Sequence, residues 1–342
     1  VYTEAMNQGL TPCDKRRDEY FSMQVYDKAQ QKEVTWTPSN ANGSFSGDSI
    51  PLKGAFARSI NSIAVRLGQE MGIQRIIETA HKMGIESPLN DTPSLALGSS
   101  DVNLRELANA YCTVANDGKY NKYVLVTRIV DRNGKEVYNN RSNEEQVIPY
   151  KSAFLTQQLL LGGLREPGGT SQSLNGYVGE FRDCDWGGKT GTSNNHSDAW
   201  FMGVSPNLVV GAWVGGEYRC IHFRTGALGQ GSRTALPICG YFLNAVLKDP
   251  AFSKYHAKFG KPKDADITSA MYSCQSYFSK SKRDTTALDS VNVDEEIILD
   301  ENGAPISIPV QDASSSSKSN ANEPESQPSH KQKEKAMTLD DF

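Results

Sequence analysis

The stretch Gly-Gly-Lys-Thr-Gly-Thr, residues 187–192, places one lysine among residues too small to fill a core. A polar turn and an apolar segment follow, so this stretch is predicted to be a strand of a sheet. Gly191 removes the Cβ that would block a second backbone from lying alongside, while Thr190 and Thr192 add hydroxyl groups beside the charge of Lys189. Such a strand edge suits a carboxylate or amide ligand, although a lysine in a glycine-rich strand is more often a plain surface charge.

A second polar pair, Ser59 and Asn61, stands immediately before a helical pattern. The structural interpretation is strong, because Ser and Asn are preferred helix N-caps. The functional interpretation is a Ser-x-Asn loop whose two side chains are free for chemistry. Serine enzymes that are acylated by penicillins combine S-x-x-K, an S-D-N-type loop and K-T-G. Here Ser59-Ile60-Asn61 and Lys189-Thr190-Gly191 follow that order along the chain, so the side chains of Lys189 and Ser59 are predicted to converge in one cleft.

The elements that must position these residues follow from the apolar periodicity. Helices are predicted over residues 61–72, 73–84, 103–118, 151–163 and 233–249. Three strands, around 189–192, 199–204 and 208–216, are joined by short turns and predict an antiparallel meander. Helices first, then an antiparallel sheet, then a terminal helix indicate an α+β fold rather than a doubly wound one.

Two helices carry specific predictions about which face is buried. The apolar side of the helix over 103–118 comprises Leu104, Leu107, Ala108, Tyr111, Cys112 and Ala115. On that reading, Cys112 is a small buried hydrophobe. The buried side of the helix over 233–249 is predicted to comprise Ala235, Ile238, Phe242 and Ala245.

Composition excludes several classes of function. The chain has 342 residues and a formal net charge of −4, and its cations are scattered, so nucleic acid is not an expected partner. Six cysteines show neither CxxC spacing nor a histidine at finger spacing, so no metal or other cofactor is expected. Cys220 and Cys239 are candidates for a disulfide if the protein is exported. The longest apolar runs, such as 208–214, are far too short to span a bilayer.

Composition also divides the chain near residue 262. Residues 1–262 are predicted to form the folded domain, and 263–310 a small extension or linker with strand-like pieces around a turn at 301–303. Residues 311–342, rich in Ser, Lys and Glu, are predicted to be a disordered tail. The chain opens Val-Tyr-Thr-Glu-Ala-Met without a charged leader, so we expect a start internal to a longer polypeptide.

Beyond the two triplets, three longer segments resemble the transpeptidase domain of class A penicillin-binding proteins. Residues 34–72 are similar to the segment that leads into the Ser-x-Asn motif of that family, 94–120 to the following helix, and 187–216 to the sheet. The resemblance covers roughly residues 1–250. It implies a β-lactamase/transpeptidase-like fold, in which an antiparallel sheet is flanked by helices.

The resemblance also implies parts that precede this stretch. The family's nucleophilic serine and its lysine, in S-x-x-K, belong shortly upstream of a helix continuation like the one that opens this chain. We therefore expect the N-terminal strands and the nucleophile helix to be missing here, and the fragment alone to be inactive. Two S-x-x-K strings, residues 279–282 and 315–318, follow K-T-G in the polar extension and are not expected to supply the nucleophile.

For the intact protein, the resemblance implies a serine-type DD-transpeptidase that forms an acyl-enzyme with D-Ala-D-Ala stem peptides and with β-lactams. Ser59 would relay a proton to the leaving amine, Asn61 would bind the substrate backbone or position a lysine, and Lys189 would supply positive potential. The strand would bind substrate through Thr190, Gly191 and Thr192: the two threonines would receive the terminal carboxylate, and the Thr192 N–H would donate to the oxyanion.

The resemblance further implies an extracytoplasmic protein, anchored in the bacterial inner membrane by an upstream segment beside a glycosyltransferase domain. Two alternatives stay open at this stage. One is a DD-carboxypeptidase or β-lactamase of the same superfamily, which would use water as the acceptor. The other is a binding fragment without catalysis.

Overall fold

The computed structural model describes residues 1–27, 31–140, 143–179, 181, 184–275 and 277, together with the backbone of 298–299 and 305–306. The chain forms two units, Val1–Asp294 and Glu295–Phe342. The predicted tail over 311–342 and both S-x-x-K strings lie outside the described residues. The site is therefore built on the first unit.

The first unit consists of helices that surround a short antiparallel sheet. Its helices are α1 (Tyr2–Asn7), α2 (Leu52–Ala57), α3 (Asn61–Met71), α4 (Ile73–Lys82), α5 (Leu104–Ala115), α6 (Tyr150–Arg165), α7 (Gly226–Gly229) and α8 (Ala235–Lys248). Its strands are β1 (Lys15–Arg17), β2 (Met23–Asp27), β3 (Lys32–Trp36), β4 (Ser49–Pro51), β5 (Lys119–Tyr120), β6 (Arg128–Val130), β7 (Glu136–Asn139), β8 (Glu145–Gln146), β9 (Gly187–Thr192), β10 (Asp198–Val204) and β11 (Val209–Gly215). The α+β layout predicted from the sequence is confirmed.

The sheet is the predicted meander. Its strand order is β11-β10-β9, so β10 is central and β9 is an edge among the described strands. Trp200 pairs with Gly191 on one side and with Trp213 on the other, which fixes the register along the whole of β10. Because successive side chains alternate between faces, Phe201 is buried on the α8 side of the sheet while Met202 packs near α5.

Helix α6 is the central support of the unit. All but a few of its residues are buried, since it contributes to three apolar clusters at once. Phe154 and Leu159 pack with α1, α2 and α3, while Leu160 packs with α5 and the sheet. An ion pair of 3.4 Å between Lys53 Nζ and Glu166 Oε1, both largely buried, ties the start of α2 to the end of α6.

The predicted buried face of α5 is only partly correct, since Leu107, Tyr111 and Ala115 are partly buried against an apolar cluster. Cys112 is exposed, whereas the polar residues Glu106, Asn109 and Thr113 are buried. Their burial is possible because they have partners: Glu106 accepts hydrogen bonds from the backbone N–H groups of residues 86 and 87, and the Thr113 hydroxyl donates to the Met83 carbonyl. Apolar periodicity cannot identify a buried face that is stabilised by satisfied polar groups.

The prediction for α8 is only partly correct. Ala235 is fully buried, but Ile238 and Phe242 are 54% and 52% exposed, and Ala245 is exposed as well. The buried side is instead made of Leu236, Cys239, Gly240, Leu243 and Leu247, together with Ala235. Since α8 is apolar around most of its circumference, its pattern does not single out one face.

Segments after α8 also pack on the first unit. Ile267 is buried in the cluster with α1 and α2, and the rings of Tyr272 and Phe154 meet edge to face at 5.3 Å. In the second unit, β12 (Ile298–Leu299) pairs antiparallel with β13 (Pro305–Ile306), which confirms the strand pair predicted around 301–303. Within the described part of the chain, no helix combines the length and apolarity needed to cross a bilayer.

Candidate active site

Lys189 and Ser59 meet directly. The Lys189 ammonium donates to Ser59 Oγ at 2.9 Å and to the carbonyl of Thr190 at 2.9 Å. The two side chains come from β9 and from the α2–α3 turn, which are 130 positions apart in the sequence. The convergence that the order of the two motifs predicts is confirmed.

Ser59 owes its position to the end of α2. The Ser59 N–H donates to the Phe56 carbonyl at 3.1 Å and the Ile60 N–H to the Ala55 carbonyl at 3.0 Å, which together form a Schellman motif. The residue after the cap takes a left-handed backbone in that motif, and Ser59 has φ of 56°. Glycine is preferred there, so Ser59 holds this backbone at a cost that a glycine would not incur. Ser59 is therefore not the N-cap of α3.

The glycines before Lys189 have a packing role. A Cβ on Gly187 would lie 2.6 Å from the Leu160 carbonyl carbon, and a Cβ on Gly188 would lie 3.0 Å from the Phe201 ring. From the helix side, a Cβ on Gly163 would lie 2.2 Å from the Gly188 carbonyl oxygen. Helix α6 and strand β9 thus make backbone contact, which only glycines permit. This contact brings Lys189 to the α2 side of the molecule.

The charge of Lys189 is unusual for its surroundings. Burial lowers the pKa of its ammonium group from 10.5 to about 8. The Phe56 ring lies 5.9 Å from Nζ, at the outer limit of a cation–π contact. Lys189 is therefore a cation at neutral pH that loses its proton more easily than a surface lysine does.

Thr170 is a further residue of the site, although the family resemblance implies only that Gly168-Gly169-Thr170 is a loop near the site, without chemistry of its own. Its hydroxyl accepts from the Thr190 hydroxyl at 2.7 Å, and its N–H donates to the Ala57 carbonyl at 2.9 Å. This loop is thereby attached to both β9 and α2. The signal in the sequence was the Gly168-Gly169 pair, since a Cβ on Gly169 would lie 2.5 Å from the Gly163 carbonyl oxygen.

Thr192, at the end of β9, has a different neighbour. Its hydroxyl accepts from the Gly231 N–H at 3.0 Å, so the hydroxyl proton stays available for a ligand. Gly231 lies close to the backbone of Gly191 and Trp200, which pair between β9 and β10. A Cβ added at Gly231 would lie 2.5 Å from the Gly191 carbonyl oxygen and 2.4 Å from the Trp200 carbonyl oxygen. The apolar periodicity of the sequence does not predict this contact, because the contact depends on the path of the loop after α7.

Asn61 stands apart from the Lys189–Ser59 contact. It is the first residue of α3, and its amide nitrogen donates to the Ser39 carbonyl at 2.8 Å. The N–H of Ser62, next to it, donates at 3.1 Å to the Asn40 side chain, which thereby caps the helix. Asn61 therefore anchors the 39–40 segment at the edge of the site.

Asp18, which is 4% exposed, holds this corner together. Its carboxylate accepts from Ser62 Oγ at 2.6 Å, from Asn40 Nδ2 at 2.8 Å, and from both the backbone and the hydroxyl of Ser46. Burial acts to raise the pKa of Asp18, but the hydrogen bonds from Ser62, Ser46 and Asn40 outweigh it and lower the pKa. The buried carboxylate positions the 39–48 loop against the start of α3.

These contacts define what the site can do. The edge strand β9 carries the Lys189 cation together with the hydroxyls of Thr190 and Thr192, and the hydroxyl of Ser59 lies against that cation. An anionic peptide terminus can bind such an edge through backbone pairing and hydroxyl donors. Over the described residues, no cluster of His, Cys, Asp and Glu could hold a metal ion.

Comparison with known proteins gives the site its context. The family model described as penicillin binding protein transpeptidase domain matches residues 16–211. Penicillin-binding protein 2D of Bacillus subtilis (strain 168) is 32% identical over 222 residues, which are 63% of this chain and 30% of the relative. Penicillin-binding protein 1A of Rickettsia prowazekii (strain Madrid E) is 31% identical over 274 residues, 73% of this chain and 33% of the relative. The chain thus spans about a third of these curated relatives.

Solved structures of penicillin-binding proteins have a fold similar to that of this chain. Penicillin-binding protein 1A from Haemophilus influenzae superposes with a TM-score of 0.65 at 25% identity, covering 73% of this chain and 41% of that one. The PonA1 protein from Mycobacterium tuberculosis, in complex with penicillin V, has a TM-score of 0.61 at 22% identity and covers 79% and 71%. The β-lactamase/transpeptidase-like fold expected from the sequence is confirmed by these matches.

Proposed function

This chain belongs to the penicillin-binding protein transpeptidase domain family, and we propose that it forms the C-terminal part of a peptidoglycan DD-transpeptidase that also binds penicillins. The observation that carries the proposal is the 2.9 Å contact between Lys189 and Ser59, beside the edge strand. A relative of the same fold is described in complex with penicillin V, which supports penicillin as a ligand here. The donor substrate is a D-Ala-D-Ala stem peptide and the acceptor is the amino group of a second stem peptide.

The nucleophile is a serine deprotonated by its own lysine, in an S-x-x-K motif upstream of this stretch. It attacks the carbonyl carbon of the penultimate D-Ala, an ester bond forms and the terminal D-Ala leaves with its amine protonated. The second stem peptide then attacks the ester through its amino group, and the serine is released. A β-lactam undergoes only the first step, since ring opening leaves no departing fragment and no acceptor reaches the ester.

Each residue of the site has a role in these steps. Ser59, in contact with the Lys189 ammonium, passes a proton to the departing amine. The Lys189 charge makes the potential around that proton and the developing oxyanion more positive. Thr192 donates its hydroxyl proton to the terminal carboxylate, and Thr190 does so by giving up its hydrogen bond to Thr170. Gly191 lets the substrate backbone lie against β9. Asn61 borders the substrate backbone.

The backbone N–H of Thr192 is the oxyanion donor contributed by this chain, with the N–H of the nucleophilic serine as its partner. Removing one such donor raises the barrier by about 3 kcal/mol in serine hydrolases, so the position of β9 matters as much as its side chains. The support of β9 by α6 is what keeps this N–H in place.

The protein acts outside the cytoplasm, anchored in the bacterial inner membrane by a segment upstream of these residues and accompanied by a glycosyltransferase domain. The relatives named penicillin-binding protein 1A, of which this chain matches about a third, support that arrangement.

The test uses the intact protein and a fluorescent penicillin. Wild type should give a stable covalent label, Lys189→Ala should lose at least about 100-fold in acylation rate, and Ser59→Ala should lose labelling while the melting temperature of both variants stays near wild type. Normal labelling of Lys189→Ala contradicts the assignment of the site. A label that is released within seconds would indicate a β-lactamase, which uses water as its acceptor.

A second test uses a polypeptide of only these 342 residues. We propose that it is not acylated. Residues 279–282 and 315–318 belong to polar segments of the sequence, and ordering such a segment beside Lys189 would have a large cost in chain entropy. Intact-mass spectrometry after treatment with excess penicillin decides the point. An adduct on Ser279 or Ser315 would relocate the nucleophile, and an adduct on Ser59 would make Ser59 the nucleophile rather than the relay.

A further inference from the structure

Two cysteines far apart in the sequence lie on neighbouring segments of the fold. Cys13 lies in the turn between α1 and β1, and Cys274 lies just after the short helical turn Ser269–Met271. The Cys274 sulfur lies 3.8 Å from the carbonyl oxygen of Pro12, the residue before Cys13. None of the six cysteines, all of which are among the described residues, forms a disulfide in the structure, and both members of this pair are half-buried.

Backbone contacts on both sides hold the pair in register. The Cys13 N–H donates to the Met271 carbonyl at 3.2 Å. From the other side, the Cys274 thiol donates to the Pro12 carbonyl at 3.8 Å. Each cysteine is therefore fixed against the chain segment that carries the other one, and the contact does not depend on the two side chains alone.

We propose that Cys13 and Cys274 are the site of a native disulfide, formed after export and closing the first unit across its whole length. The presence of an oxidising compartment rests on the proposed function. Two thiols lose two protons and two electrons as the S–S bond forms. The acceptor is a disulfide, carried by a thiol oxidoreductase or by oxidised glutathione, which is reduced to two thiols.

The surroundings of Cys13 act on its thiol in two directions. Burial and the neighbouring thiol raise the pKa of Cys13 to about 12, so this thiol stays protonated at neutral pH. The nearby Lys53 cation favours the Cys13 thiolate, which is the species that attacks a disulfide.

The disulfide would help to fix the position of the site, because both cysteine segments contact the beginning of α2. The Leu52 and Lys53 N–H groups, which open α2, donate to the carbonyls of Asp14 and Pro12 at 2.8 and 2.9 Å. The side chain of Lys53 also donates to the Tyr272 carbonyl at 3.4 Å, on the segment of Cys274. A covalent bond at this point fixes the beginning of the helix whose end presents Ser59.

The alternative pairing expected from the sequence does not have this support. Cys220 is exposed in the loop after β11, whereas Cys239 is buried on the inner side of α8. No hydrogen bond joins these two thiols in the described part of the chain. Cys220→Ser is therefore a matched control that removes a cysteine without touching the proposed pair.

The experiment is a non-reducing tryptic map of the protein after purification in a glutathione redox buffer. We expect the peptide that ends at Lys15 to be linked to the peptide 264–280, with a mass lower than their sum by two hydrogens. The link should disappear in Cys13→Ser and in Cys274→Ser and persist in Cys220→Ser. Free thiols at both positions, or a link to another cysteine, would overturn the proposal.

A second readout covers variants that fold poorly. Reduction should lower the melting temperature of wild type and of Cys220→Ser by several degrees, and leave that of Cys13→Ser/Cys274→Ser unchanged. An equal shift in the double variant would mean that another bond is responsible. Penicillin labelling is measured separately: a linked map without labelling would contradict the proposed function alone, and labelling without a link would contradict the disulfide alone.

Discussion

Lys189 gives the site a pH dependence whose direction can be predicted. Its ammonium has a pKa of about 8, so the charge is lost as pH rises through that value. If the charge is what Ser59 and the oxyanion require, the acylation rate should fall by about 10-fold for each pH unit above 8. A rate that rises through pH 8 would make the neutral amine the active form.

The measurement is stopped-flow labelling of the intact protein between pH 6 and pH 10, with Lys189→Arg as the control that keeps its charge throughout. Stability should change in the opposite sense. From pH 8 to about 10.4 the unfolded state keeps a proton that the folded state has lost, so the free energy of unfolding should increase with pH over this window.

Asp18 lies outside the Lys189–Ser59 contact, but its replacement should lower the free energy of unfolding. Asp18→Asn replaces an acceptor by a donor that faces the donors of Ser62 and Asn40, and should cost about 2 kcal/mol. Since the pKa of Asp18 is lowered, its contribution is complete above the unfolded value of about 3.9 and is lost as pH falls below it. Urea unfolding of the variant and wild type should therefore differ at pH 7 and converge below pH 4.

The exposed Glu78 supplies the control, since Glu78→Gln removes a charge without a buried network. A full gap between Asp18→Asn and wild type at pH 3 would show that the carboxylate's charge is not what stabilises the loop. Acylation of the Asp18 variant should also slow, because the 39–48 loop no longer holds the start of α3.

Among the contacts between secondary-structure elements, the close packing of α6 on β9 is the one that we expect the site to require. Gly163→Ala places a methyl group 2.2 Å from the Gly188 carbonyl oxygen, so helix and strand must move apart. We expect a loss of about 1–3 kcal/mol in unfolding free energy and a fall in penicillin labelling. In a helix without this close contact, a Gly→Ala change would increase the unfolding free energy by about 1 kcal/mol. The sign of the measured change therefore distinguishes a tight contact from an open one.

Thermal unfolding of Gly163→Ala beside Gly176→Ala checks this prediction. Gly176 has nothing within 4 Å of a built Cβ, so its variant should melt like wild type and label like wild type. An unaltered Gly163→Ala protein would mean that the close packing of α6 on β9 is not required for the site.

The whole molecule presents an apolar face that has no cover in the described structure. On α8, Ile238, Tyr241 and Phe242 are 54%, 68% and 52% exposed. Surface of this kind promotes association, so a polypeptide of these 342 residues should self-associate in a concentration-dependent way. Ile238→Lys/Phe242→Lys should shift it towards the monomer without disturbing the buried side of the helix.

Size-exclusion chromatography with light scattering, from about 1 to 100 μM, measures the effect; these are the concentrations at which exposed apolar surface drives aggregation. Leu125→Lys is the comparison, because Leu125 is 87% exposed but lies just before the β6–β7 hairpin. If all variants associate equally, α8 is not the surface responsible.

The sequence by itself determined the family, the α+β layout and the two motifs of the site. Their order along the chain was enough to predict that Lys189 and Ser59 meet, and the meander of β9, β10 and β11 followed from short turns between apolar runs. Each strand, turn and triplet is local, because it is encoded by residues that are neighbours in the chain. The meeting of Lys189 with Ser59 is not local and was predicted from the order of the two motifs in serine enzymes that are acylated by penicillins.

Only the tertiary structure decided the rest. The partners of Thr170 and Thr192, and the approach of Cys274 to the segment of Cys13, all join residues that are distant in sequence. The buried faces of α5 and α8 were likewise predicted only in part by the apolar pattern. Polar residues can be buried when the fold supplies partners, and an apolar helix can leave one side uncovered, so burial depends on what the chain packs against rather than on periodicity.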